Sequence, residues 1–150
     1  MKKTSKKPYS GKEMDEKLVK TLKSWLVVED DSIKMAKSVS SKTENPFVKM
    51  IMDIIAHDSA LHKKVQQFII DSLDKKAISL QPEELEVIWD LIEKHIKLEK
   101  KTIELAEEAK GETRLYVQRY LLNYLLEDER KHNALLERLE EIKMRMYPYS

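Results

Sequence analysis

The chain has 150 residues, 41% of them apolar and 37% charged, and its net charge is +1. That length suits one domain with a core of its own, and the balanced charge excludes a global field that would demand nucleic acid or an acidic membrane. The lack of cysteine excludes disulfides, thiolate metal sites and thiol catalysis, while two glycines and four prolines are too few for a loop-rich all-β fold.

Residues 1–9 carry Lys2, Lys3, Lys6 and Lys7 and are expected to form a disordered, solvated basic tail. No apolar stretch approaches the roughly 20 residues of a membrane span and no signal peptide is visible, so the expectation is a cytoplasmic protein with no membrane partner. One domain over 10–146 then divides into four helices. The first starts near Ser10, with Glu13 positioned for a capping box. Its stripe is Leu18, Leu22, Trp25, Ile33, Ala36 and Val39, fading into the polar stretch from Ser40 to Glu44. Asn45-Pro46 is an N-cap followed by proline at the first helical position. It opens a second stripe of Phe47, Met50, Ile51, Ile54, Ile55, Val65, Ile69 and Leu73. Asp74 to Gln81 is read as a linker. Pro82, Glu83 and Glu84 suit the positive end of a third helix, whose stripe is Leu85, Ile88, Trp89, Ile92, Ile96, Ile103 and Ala106 and whose stop is Gly111. The fourth runs from about Thr113 to about Arg145, with Leu121, Leu122, Leu125, Leu135, Leu136, Leu139 and Ile142 inside it and Pro148 beyond. At 1.5 Å per residue each helix is ~42–48 Å long. Four such helices predict an all-α, four-helix bundle.

Polar residues interrupt these stripes at mid-helix. Glu29 falls between Trp25 and Ile33, and Glu99 between Ile96 and Ile103. Glu129 follows Leu125 by one turn, His132 precedes Leu136 by one turn, and His62 precedes Val65. All five are expected to face inward. Buried carboxylates are costly unless paired, protonated or metal-bound. Carboxylate with imidazole and no thiolate suits iron, manganese or zinc. The Glu129-x-x-His132 spacing puts both side chains on one helix face, within reach of one ion. The pattern also recurs: seventy positions separate Glu29 from Glu99, Asp58 from Asp128, and His62 from His132. The chain therefore reads as two helix-hairpin repeats. Ser59 breaks the copy, standing where the second half has Glu129.

On these residues, and on the segments Glu127–His132 (EDERKH) and Asn45–His62 (NPFVKMIMDIIAHDSALH), the chain resembles the ferritin-like superfamily, rubrerythrin-like proteins in particular. The resemblance covers about Leu18 to Ile142 and implies a ferritin-like four-helix bundle with one or two metal ions inside it. It implies ligands at Glu29, His62, Glu99, Glu129 and His132. Asp58 and Asp128 would orient histidines by hydrogen bonds from outside the ligand set. Ser59 lacks the bridging carboxylate of that family. Three outcomes follow: an empty site, a single ion held by Glu99, Glu129 and His132 with or without Glu29, or a site completed by His95, one turn before Glu99.

The implied activity is peroxide reduction or ferrous iron oxidation at an iron or manganese (or zinc) centre. With no cysteine for a rubredoxin-type centre on this chain, turnover would need an external electron donor. The alternative is a non-catalytic helical bundle, a binding or scaffold module with a degenerate site. A storage or DNA-protecting role rests only on the basic tail. Trp25 and Trp89 are expected in the core and His57 at the surface. Tyr116, Tyr120 and Tyr124 form a stripe that suits packing or a dimer interface better than an electron path. Asp30 and Asp31 stand opposite in charge to Lys100 and Lys101 at repeat-equivalent positions, as pairing between the halves would require. In the family's usual topology a linker of eight residues reaches at most ~28 Å. Either the second helix ends early, near Ile69, or the third pairs with another chain in a domain-swapped homodimer, or the bundle runs simply up and down.

Overall fold

A computed structural model describes residues 11–74 and 80–146. The basic tail, the Ser10 cap and most of the 74–81 linker lie outside the described residues. The expected all-α, four-helix class is what the chain adopts: α1 spans Gly11–Ser41, α2 Pro46–Asp74, α3 Pro82–Glu112 and α4 Tyr116–Met146. No strand occurs among the described residues. The chain divides into two compact units, Met1–Ile78 and Ser79–Ser150. In the first, α1 packs on α2; in the second, α3 packs on α4.

The helix starts follow from local chemistry. Asn45 Oδ1 accepts hydrogen bonds from the backbone N–H groups of Phe47 (2.9 Å) and Val48 (3.2 Å), and the Asn45 carbonyl starts the helical ladder at Lys49. This satisfies two of the donors that every helix start leaves open. At α3, Pro82 occupies the first turn and the Glu84 carboxylate accepts the Gln81 N–H at 2.8 Å. The two hairpin turns use one device. Thr43 Oγ1 accepts the N–H of Asn45 at 3.1 Å, and Thr113 Oγ1 accepts that of Leu115 at 3.3 Å.

Gly111 is not the stop that the sequence suggests. The helix continues through it to Glu112, no described glycine has positive φ, and Thr113 ends the helix in extended conformation (φ −116°, ψ 144°). The threonine-centred turn supplies the stop, so a left-handed glycine is not needed. Nor does α2 end early near Ile69, because it continues to Asp74.

Each hairpin buries a narrow line, since one partner helix covers only one strip of a helix surface. On α3 the line is Leu85, Trp89, Ile92, Ile96 and Glu99, alternating by four and three, with Leu136 and Leu139 of α4 packed against the apolar part. This is the spacing of two helices in extended side-by-side contact. On α1 the buried residues are Leu22, Glu29 and Ala36, seven apart, and on α2 they are Ser59, Gln66 and Ile70. Trp89 is in the core as expected, but Trp25 is 51% exposed, because the line toward α2 passes through Leu22 and Glu29 instead. Met50, Ile55 and Val65 of α2, Ile88 of α3 and Leu125 and Leu135 of α4 are likewise exposed. The apolar stripes are wider than the strip that one neighbour covers.

Candidate metal centre

The second hairpin places Glu99 on the core line of α3, 8% exposed, at the position where the apolar run Leu85–Ile96 would continue. Facing it on α4 are Glu129 and His132, three residues apart and both half-buried. His132 Nδ1 lies 3.7 Å from Glu99 Oε2 and 3.7 Å from Glu129 Oε2. One ligand atom from each of the three falls within 4.8 Å of the others, close enough for one ion to touch all three. His95 is also present: its Nε2 stands 3.0 Å from Glu99 Oε1. His95, Glu99 and His132 line an open recess with Leu135 and Leu136.

Two features define the electrostatics. Glu99 Oε2 is buried and has no hydrogen-bond partner, although a buried carboxylate oxygen normally finds one. Glu129 is held below the usual carboxyl range, first by the adjoining Glu99 carboxyl and then by the Thr102 hydroxyl, with the His132 charge adding to this against burial and the Asp128 charge. The Thr102 hydroxyl stands 2.8 Å from Glu129 Oε2 and 2.8 Å from the Glu99 backbone carbonyl, so its single proton serves one acceptor at a time. Two carboxyls thus share a confined space with half-exposed imidazoles at its mouth.

The first hairpin arranges the same kinds of residue differently. Glu29 is 7% exposed. Its Oε1 meets His62 Nδ1 at 3.2 Å and accepts from Gln66 Nε2 at 3.4 Å. The Ser59 and Ser32 hydroxyls lie 3.2 Å apart beside it. Burial raises the Glu29 pKa, but hydrogen bonds from Ser59, His62 and Gln66, with the charge of His62, outweigh this and leave it below its usual value. This acid is solvated by protein groups.

The residues singled out in the sequence therefore meet as Glu29 with His62 in one hairpin, and as Glu99, Glu129, His132 and His95 in the other. Glu29 and Glu99 are buried as expected, while Glu129 is half-buried. The histidines are not core residues: the side chains of His62, His95 and His132 are 57%, 57% and 44% exposed, and each reaches inward only with its ring edge. Asp128 accepts from Lys131 Nζ at 2.7 Å and from the Tyr124 hydroxyl at 3.4 Å on its own helix, rather than from a histidine among the described residues. Lys131, and to a lesser degree the His132 charge and Tyr124, hold Asp128 below the usual range against burial. Asp58 is half-buried and makes no hydrogen bond among the described residues, and His57 is exposed. Tyr116 and Tyr120 are exposed, their ring centroids 6.3 Å apart. Asp30 pairs with Lys63 and Lys101 with Glu104, each inside its own hairpin.

Ser32, Thr102 and Gln66 escaped sequence reasoning. The first two had a readable signal: each hydroxyl lies three residues after a buried acid, and the two are seventy positions apart. Gln66 lies seven after Ser59, on the same helix face.

The fold and site define an all-α protein with a carboxylate–histidine cluster inside one helical hairpin. Compared with protein-family models, curated proteins and solved structures, the chain matches none. Among the described residues, no helix is long and apolar enough to cross a membrane.

Proposed function

We propose that the protein binds a divalent transition metal, iron, manganese or zinc, through Glu99, Glu129 and His132, with His95 as a fourth donor. The observation that carries this reading is the buried, unpartnered Glu99 Oε2 within a set of three ligand atoms no more than 4.8 Å apart. The donor set fits such an ion: carboxylate and imidazole without thiolate, with the ligating Glu129 held by a hydroxyl as outer partners usually hold ligands. The half-exposed histidines at the recess give an ion a route in from solvent.

The function that fits the resemblance to rubrerythrin-like proteins is peroxide reduction or ferrous iron oxidation. The bound metal would supply the electron transfer. The chain's own residues would fix the ion, keep one side of it apolar through Leu135 and Leu136, and leave the recess open to a small oxidant. An external electron donor would complete the cycle, because the chain has no cysteine for a second redox centre.

A second reading is a non-catalytic scaffold or binding module. The hydrogen-bonded closure of Glu29 in the first hairpin favours it, since half of the expected ligand set is satisfied without metal. Elemental analysis of chelator-free wild type and Glu129→Ala separates the two. An ion present in wild type and lost in the variant supports the metal reading. Protein that stays empty after anaerobic iron loading and is indifferent to chelator supports the scaffold.

A further inference from the structure

The two hairpins treat one buried acid differently, and two of the residues that differ between them lie on the helix facing that acid. Seventy positions relate Glu29 to Glu99, Ser32 to Thr102, and His62 to His132, so acid, hydroxyl and imidazole are matched in both. Apart from Trp25, which stands where the second hairpin has His95, the mismatches at the acid are Ser59 for Glu129 and Gln66 for Leu136. Both land on the acid. Ser59 is 5% exposed beside Glu29, with its hydroxyl 3.2 Å from that of Ser32, while Gln66 is 3% exposed and donates to Glu29 Oε1. The amide holds this position although its own Oε1 is buried without a partner, an arrangement that costs free energy unless the donated bond is needed. In the second hairpin neither donor exists. A carboxylate stands in place of the serine, a leucine in place of the amide, and the acid's Oε2 is left unpartnered.

We propose that Ser59 and Gln66 together are the determinants that keep the first hairpin metal-free. The serine withdraws the second carboxylate, and the amide supplies to Glu29 the positive end of a dipole where an ion would supply charge. Each chain then binds one ion, not two. Exchanging both residues for their counterparts, Ser59→Glu with Gln66→Leu, converts the first hairpin into a second site for a divalent transition metal on Glu29, the new carboxylate and His62. This rests on the metal reading of the second hairpin for its template but is testable without it.

The test is titration of the full chain with Co²⁺, read by its visible absorption and by bound ions per chain. Wild type should take one ion, Glu129→Ala none, and the Ser59→Glu/Gln66→Leu variant two. The decisive protein combines all three substitutions. It should take one ion, and adding His62→Ala should abolish the binding and the absorption. A helical triple variant that takes none overturns the proposal. An empty wild type beside a triple variant that takes one ion would defeat the reading of the second hairpin and still support this one. If the added charge unfolds the first hairpin, the reciprocal exchange decides. Glu129→Ser with Leu136→Gln should be metal-free yet melt above Glu129→Ala, because Glu99 gains the two donors that Glu29 has. Melting at or below Glu129→Ala overturns the proposal.

Discussion

Replacing Glu99 by glutamine should raise the stability of the metal-free protein and abolish its response to metal. The side chain is nearly isosteric, so the packing of the Leu85–Ile96 line is untouched. What changes is the pair of carboxyls. In wild type, Glu99 Oε2 is buried beside Glu129 and makes no hydrogen bond, with His132 Nδ1 3.7 Å away. An amide at this position carries no charge, can donate to Glu129, and can still accept from His95, whose Nε2 is 3.0 Å from Glu99 Oε1. Leaving a buried polar atom unsatisfied costs ~1–3 kcal/mol, so recovering part of that should be worth about 1–2 kcal/mol. In a chain of this size about 1 kcal/mol moves Tm by roughly 2–4 °C. The metal-free variant should therefore melt about 2–8 °C above metal-free wild type. With metal at about 100 times Kd, wild type gains ~2.7 kcal/mol and should overtake the variant, which gains little.

The assay is thermal melting followed by circular dichroism, with and without chelator, on both proteins. Its strength is that the expected order reverses between the two conditions, which a general packing defect cannot mimic. If Glu99→Gln melts below wild type in chelator, the carboxyl pair is not strained and the reasoning fails. If the variant still responds fully to metal, Glu99 is not a ligand.

Three further outcomes are expected. Thr102→Val removes the hydroxyl beside Glu129 Oε2; metal affinity should fall about 10- to 100-fold, the usual cost of losing a partner that holds a ligand, as read by competition with a chromophoric chelator, while helicity is unchanged. Ser59→Ala removes the buried hydroxyl that bonds Ser32 beside Glu29 and should cost about 1–2 kcal/mol by urea denaturation, with no change in metal content; an unchanged midpoint would show that Glu29 does not depend on it. The folded-state pKa of Glu29 is below its usual value of 4.5, so below that value the unfolded chain binds more protons than the folded one. The stability it contributes is complete above about pH 4.5, is lost as pH falls through the folded value, and should be missing from the acid limb of a Tm-against-pH profile for Glu29→Gln.

Much of the architecture was legible because it rests on local chemistry. Asn45-Pro46 announced α2 through a side-chain cap and a fixed φ, and both operate in the structure. Glu99 was legible as buried because it continues a four–three apolar spacing. The errors share a cause. An apolar stripe shows which side of a helix avoids water, not which part of that side one neighbour covers. Trp25 and Val65 were therefore placed inside, while the line that α1 and α2 share runs through Glu29, Ser59 and Gln66. Gly111 misled for a different reason. A glycine near a helix end usually signals a left-handed cap, but here the extended backbone at Thr113 ends α3 and the glycine is ordinary helix.

The contrast between Glu29 and Glu99 bears on what Ser59 means. A lost ligand in a site with no further use would leave the remaining acid buried without compensation, and such a charge is severely destabilising. Glu29 is not in that state. It has an amide and an imidazole on Oε1, and Ser59, which stands seventy positions before Glu129, lies beside it with its hydroxyl 3.2 Å from that of Ser32. The compensation comes from Gln66 and His62, which both meet Glu29 Oε1. Glu99 has His95 at 3.0 Å from Oε1 and His132 at 3.7 Å from Oε2 but no serine or amide, its Oε2 makes no hydrogen bond, and a second carboxylate beside it enlarges the need for positive charge. On the proposed metal reading, the first hairpin needs no ion, whereas a cation would complete the second. It follows that chelator should lower the melting temperature of the second hairpin alone, a difference that hydrogen exchange on α3 and α4 against α1 and α2 would resolve.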